Sequence, residues 1–431
     1  MKSRKILLAI AIALCLAFCA VLTACDGGSD AHVHKYEETV IKPTCAEQGY
    51  TLYKCSCGEE YKDNYVDATG EHNYVDFLCS VCYAIDPTAP NTEGLRYDRI
   101  MDGSAITGYS VSKGSAGGNT YIKIPATHDG KPVLQVAYQA FYNCGDITSV
   151  EIPDSVTDIV GYAFRACSSL KNVAIGNSVI SIGDHTFSGC TSLPRINIPD
   201  SVTSIGEYAF DYCHGLAKVT LGNGLTSIEN RVFENCSNLT SINIPDGVTS
   251  IGDYAFYYCS SLTSVEIPDG VTSIGDSAFR VCSGLKSISL PNSVASIGDW
   301  AFCFCSSLTS IEIPNGVTSI GNGVFSDCHS LKNINIPDSV TTIGSGVFSN
   351  CLSLKNIEIP NSVTSIGSEA FRSCRNLKSI VIPNSVTSIG KDVFYDCGSL
   401  TIYCEAAEKP NDWDDEWNSS DCPVKWGYKK G

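Results

Sequence analysis

Positive charge is scarce in this chain. Its 431 residues carry 29 Lys and Arg against 46 Asp and Glu, and only 17% of residues are charged. No acid precedes Cys25, whereas Lys2, Arg4 and Lys5 do, so loss of that segment leaves 26 bases against 46 acids, a net of −20. Neutralising phosphate takes clustered Lys or Arg, and this balance argues against nucleic acid or an anionic lipid surface as a partner. Enzyme signatures are missing as well. There is no G-x-S-x-G elbow, no H-E-x-x-H, no phosphate loop and no Rossmann glycine pattern. Beyond residue 85 the histidines (His128, His185, His214, His329) are scattered. Glycine-rich nonapeptides with closely spaced Asp are also lacking, which speaks against a calcium-binding β-roll. The Asx residues at the corner after each first strand (Asp154, Asn177, Asp200, Asn223, Asp246, Asp269 and onward) come once per 23 residues and read as turn formers.

What the chain does have is a period. Cys144, Cys167, Cys190, Cys213, Cys236, Cys259, Cys282, Cys305, Cys328, Cys351, Cys374 and Cys397 are spaced 23 apart, and a phenylalanine stands three residues before each, from Phe141 to Phe394. A period of this length held without a slip predicts a stacked solenoid. One unit reads Leu262-Thr263-Ser264-Val265-Glu266-Ile267-Pro268-Asp269-Gly270-Val271-Thr272-Ser273-Ile274-Gly275-Asp276-Ser277-Ala278-Phe279, then Cys282. Alternation around Glu266 predicts a short strand with Val265 and Ile267 inward, which Pro268 ends by presetting a turn. Val271 to Ile274 reads as a second extended segment, and Ala278-Phe279 fills the widest part of the cross-section.

This spacing resembles the leucine-rich repeat, and the Ile-Gly-x-x-Ala-Phe-x-x-Cys half resembles its bacterial BspA-like class, over roughly residues 123–404. The resemblance implies a β-rich solenoid of about twelve rungs. It further implies a surface protein that adheres to host or neighbouring-cell proteins or glycans and performs no catalysis. A structural, self-associating envelope protein and an accessory polysaccharide-capture lipoprotein are the alternatives.

The ends carry other signals. An apolar run, Ile6 to Leu22, follows Lys2, Arg4 and Lys5 in the pattern of a secretory signal. Leu22-Thr23-Ala24-Cys25 resembles a bacterial lipobox, which implies residues 1–24 as signal peptide, lipidation of Cys25 and a membrane-anchored cell-surface location. An ordinary signal peptide or an uncut helix is the competing reading. Residues 25–30 then form a tether, 31–85 a Cys/His head, 86–93 a linker, 94–132 an N-terminal cap, 133–400 the solenoid and 401–431 a C-terminal cap.

The head holds His32, His34, Cys45, Cys55-Ser56-Cys57, His72 and Cys79-Ser80-Val81-Cys82. Two cysteine pairs about twenty residues apart suit structural zinc on Cys55, Cys57, Cys79 and Cys82, with two disulfides as the rival. For the ladder cysteines the competing readings are a metal or redox array and a small core residue; identical positions closing identical turns favour buried thiols. Cys404 and Cys422 could close a disulfide, and Trp413, Trp417 and Trp426 a lid on the last rung. The strand wall shows polar or small residues at its exposed centre, from Glu151 and Ala174 to Glu358 and Val381. Aromatic residues gather elsewhere. Tyr208, Tyr254 and Trp300 share one repeat position, and Tyr212, Tyr258 and Phe304 another. They are either a contact patch or packing beneath the next turn.

Overall fold

A computed structural model describes residues 36–41, 44–45, 49–55, 60–398 and 400–429. Cys25 and Cys57 lie outside these residues, as do His32 and His34. The chain divides into two compact units, residues 1–73 with 80–82, and residues 74–79 with 83–431.

In the first unit, β1 (Tyr36–Ile41), β2 (Gly49–Cys55) and β3 (Glu60–Val66) form an antiparallel sheet in that order. Tyr36 faces Cys55 and Ile41 faces Tyr50. Among its described side chains, Val40, Ile41 and Val66 are exposed. The second unit begins with a hairpin of β4 (Tyr74–Val75) and β5 (Leu78–Cys79). Its two turn residues, Asp76 and Phe77, both have positive φ (48° and 65°), as a tight primed turn demands. Residues 86–93, expected as an extended spacer, are instead packed down. Ala89 and Thr92 are buried, and Thr92 exchanges bonds with Lys123, giving its N–H to the Lys123 carbonyl (3.0 Å) and taking the Lys123 N–H on Oγ1 (2.8 Å).

The solenoid then stacks rungs in parallel register, each residue beside the one 23 further on. Val150 pairs with Val173 on the first strand wall, and Ile182 with Ile205 on the second. Proline lacks an N–H and stops the first strand; the corner that follows is closed by Val271 N–H donating to the Pro268 carbonyl (3.1 Å). Gly275 permits the close approach of rungs at the end of the second wall, where a Cβ would meet Asp253 N at 2.6 Å. One rung carries Glu229 at that position, and there the second-wall pairing thins to an isolated bridge between Ile228 and Ile251.

The interior is a file of twelve phenylalanines with no exposed surface, their rings 5.2–5.8 Å apart and within 18° of parallel. Beside it runs the cysteine file. Each thiol from Cys167 to Cys397 donates to the carbonyl of the phenylalanine one rung earlier, at 3.0–3.3 Å. The ladder cysteines are buried free thiols with no disulfide among them.

Both ends are dressed. At the N-terminal end β6 (Arg96–Asp102) and β7 (Ala105–Ser112) form a hairpin, and β7 pairs in parallel with Lys131–Val136 to start the second wall. The outermost strand, β6, bears Arg96, Asp98, Arg99 and Asp102, charges that guard a sheet edge against pairing. The C-terminal cap imitates a rung. Ile402 and Cys404 stand in register with Ile380 and Ile382, Trp413 bridges Ile389, and Trp417 closes the phenylalanine file edge-on to Phe394 at 5.9 Å. The expected Cys404–Cys422 disulfide is not formed, and both remain buried thiols. Cys404 occupies an isoleucine position on the strand wall, whereas Cys422 sits close enough to Cys397 to raise its pKa and so extends the thiol file. The two belong to different sides of the rung.

Candidate functional site

The third side of each rung is a run of turns, and stacking sets its backbone. Alternate N–H groups reach along the axis to the next rung: Tyr208 to Asn230 O (3.2 Å), Phe210 to Val232 O (2.9 Å) and Tyr212 to Glu234 O (3.0 Å). This pattern puts positive φ on the residue two before each phenylalanine and the residue two after it. Glycine, asparagine and aspartate tolerate that region, and a bulky side chain there costs of order 1 kcal/mol. Gly323, Asp327, Gly346 and Asn350 fit the preference in the later rungs. The middle rungs do not. They place Tyr208 (57°), Tyr212 (55°), Tyr254 (56°), Tyr258 (62°), Trp300 (55°) and Phe304 (60°) at these strained positions.

The six aromatic residues do not form one patch. Tyr208 and Tyr254 are half-buried members of a stacked column. In it Tyr138 meets Tyr162 (5.5 Å), Tyr162 meets His185 (4.7 Å), and His185 stacks on Tyr208 (4.5 Å). The Arg231 guanidinium continues the column, 5.3 Å from the Tyr208 ring and 4.1 Å from that of Tyr254. Burial, with Arg165 nearby, lowers the pKa of His185, against the pull of Asp184 and Glu207. The second position is open. Tyr212 is 52% exposed, Tyr258 47% and Phe304 42%. Trp300, also exposed, leans over Gly323, where a Cβ would meet its indole at 2.2 Å. Beyond it Gly346 leaves a trough of about 470 Å³, with Ser326, Ser345, Ser349 and Ser368 along it and Glu369 at its far end.

Beside the column lies a buried acid. Asp211 is pushed up to about 7 by burial, then by the neighbouring Glu234 carboxylate, with Asn235 and Arg231 opposing. Arg231 is held by Glu234 at 3.1 Å.

In the head, the donor atoms of Cys45, His72, Cys79 and Cys82 all lie within 4.8 Å of one another. Cys82 Sγ is 3.4 Å from His72 Nδ1. Two of the four expected zinc ligands, Cys79 and Cys82, are in this group. Cys55 closes β2, and the structure describes nothing of its side chain; Cys57 is outside the described residues. Cys45 and His72 complete the group among the described residues, and no spacing rule pointed to them, because 27 residues and two strands separate the pair.

Among curated proteins none matches the chain. Among solved structures, a leucine-rich repeat protein from Bacteroides ovatus is 27% identical over 78% of this chain and 98% of its own, with a TM-score of 0.53. A leucine rich cell surface protein from Faecalibacterium prausnitzii is 30% identical over 77% and 97%, with a TM-score of 0.42. The pneumococcal vaccine antigen PcpA shares the fold at 23% identity over 79% and 98%, with a TM-score of 0.55. The family described as BspA type Leucine rich repeat region matches residues 135–263, 249–366 and 296–406, more than half of the sequence. The 23-residue rung, its phenylalanine and thiol files and this match together place the chain in the BspA-type leucine-rich repeat family.

Proposed function

We propose that this chain is an exported, non-catalytic surface protein, anchored through lipid on Cys25, whose solenoid binds a protein or glycan partner along its third side. The observation that carries the reading is the placement of Tyr212, Tyr258 and Phe304, exposed rings at positive-φ positions where the fold itself is better served by Gly, Asn or Asp. Rigid aromatic rings give a large contact area at little entropic cost. The family supports a binding role, and the F. prausnitzii relative is by its description a cell surface protein. The trough beside Trp300 adds hydroxyls and one carboxylate to an aromatic face, a lining suited to sugar rings.

The test is binding of the whole mature chain to glycan arrays and immobilised extracellular-matrix proteins, compared with a Tyr212→Asn, Tyr258→Asn, Phe304→Asn variant. Asparagine suits positive φ, so the melting temperature should hold or rise while binding falls at least tenfold. Undiminished binding by the variant would remove this face from consideration. A Cys25→Ala chain should be released from cells into the medium; retention on the membrane would refute the anchor.

A further inference from the structure

We propose that Cys45, His72, Cys79 and Cys82 bind one zinc ion as a closed Cys3His structural site that supplies the folding energy of the head. Ser80–Cys82 group with residues 1–73, so Cys45, His72 and Cys82 belong to one unit; Cys79 ends β5, with only Ser80 and Val81 between it and Cys82. Their donor atoms lie within 4.8 Å of one another. A tetrahedral zinc with Zn–S of about 2.3 Å and Zn–N of about 2.0 Å needs ligand atoms roughly 3.5–3.8 Å apart, so a small inward movement of side chains completes the site.

Backbone hydrogen bonds hold these segments side by side. Thr69 N–H donates to the Thr44 carbonyl at 2.8 Å, tying the residue before Cys45 to the irregular segment leading to His72. Ser80 N–H donates to the Asn73 carbonyl at 3.0 Å, tying the cysteine turn to the residue after His72. Tyr83 N–H closes the turn on the Cys79 carbonyl at 3.0 Å, with Tyr83 at φ 60°.

The donor set selects the ion. Three sulfurs and an imidazole suit zinc and do not suit calcium or magnesium, which take oxygen. A disulfide accounts for the geometry less well, because it joins two sulfurs and leaves the third and His72 outside. Burial points the same way. Among the described residues from 36 to 82, the buried ones are Cys45, Thr51, Cys79 and Cys82, so three of four are in the cluster. Among the described residues of this unit the ligands themselves make up most of the interior, and a metal staple suits a unit of this size. Four protein ligands leave no open position, so the ion is structural and activates no water.

Metal content and cobalt spectroscopy of the full mature chain, purified under reducing conditions, test the site. We expect one zinc per chain, kept in a Cys55→Ser, Cys57→Ser double variant and lost in Cys45→Ser and in His72→Ala. Cobalt in the unaltered chain should give the intense d–d bands of a tetrahedral site and charge transfer from three thiolates, a readout that does not depend on any variant folding. Zinc lost in the Cys55/Cys57 variant but kept in His72→Ala would overturn the assignment. So would a chain that holds no zinc, or peptide mapping that finds Cys45, Cys79 or Cys82 in a disulfide.

Discussion

Asp211 is the residue at which the third side is least comfortable. Burial raises its folded pKa to about 7, with Glu234 one rung on adding repulsion, while an unfolded aspartate titrates near 3.9. Between these values the folded chain keeps a proton that the unfolded chain gives up. The stability Asp211 confers is therefore fully present below about pH 4 and is lost as pH rises through 7, by at most about 1.4 kcal/mol per pH unit. Asp211→Asn keeps an acceptor for the Asn235 amide and removes the charge. It should raise the melting temperature at pH 8 and leave it unchanged at pH 4. An equal shift at both would show that Asp211 does not titrate in this range. The acid could not be read from the sequence, because its environment comes from Glu234, 23 residues away and adjacent only after stacking. The same holds for the aromatic positions: the period reveals which residues share a column, but the positive φ that makes their side chains costly is imposed by hydrogen bonds between rungs.

A rung is held by elements that differ in chemistry, and its thiol is the one most easily mistaken for function. Each ladder cysteine from Cys167 onward donates to a carbonyl of the rung before it, and burial pushes Cys167, Cys213 and Cys397 up to about 12 and others higher. A reactive or metal-binding cysteine needs a lowered pKa, so these thiols are inert while folded. An unfolded cysteine titrates near 8.5, so the folded state holds its protons to higher pH. The stabilisation is complete below about pH 8.5 and falls as pH rises towards 12, each buried thiol contributing up to about 1.4 kcal/mol per pH unit. Because the loss is summed over the file, unfolding should be abrupt between pH 10 and 11.5 under anaerobic conditions. Circular dichroism against pH, with parallel thiol labelling, measures it. Labelling of the ladder at pH 8 without unfolding would contradict the account. The interior role of these cysteines was legible because one position recurring twelve times points to a core; their donation to the previous phenylalanine carbonyl was not, since it joins residues 26 apart.

The second unit is a one-dimensional stack, in which each rung contacts only its neighbours and stability accumulates along the chain. The periodic part of it was written plainly in the sequence. The ends were not, because a cap must keep the shape of a rung while losing its period: Cys422 follows Cys397 by 25 residues instead of 23, and Trp417 stands where a phenylalanine would. Position along the stack then decides what a lost ring does. Phe279 lies between Phe256 at 5.2 Å and Phe302 at 5.5 Å, so Phe279→Ala breaks two stacks and opens a cavity mid-file, at a cost of about 3–5 kcal/mol. Trp417 covers a single ring, Phe394, and leans on Trp413 at 4.9 Å. Trp417→Ala exposes only the last rung to water, and fraying there leaves earlier rungs with both neighbours. Hydrogen exchange should show protection lost in Trp417→Ala from about residue 374 onward and intact before it, whereas Phe279→Ala should loosen rungs on both sides. Protection lost evenly along the Trp417→Ala chain would mean that the rungs melt as a single cooperative block and that the cap holds the whole file, not its end.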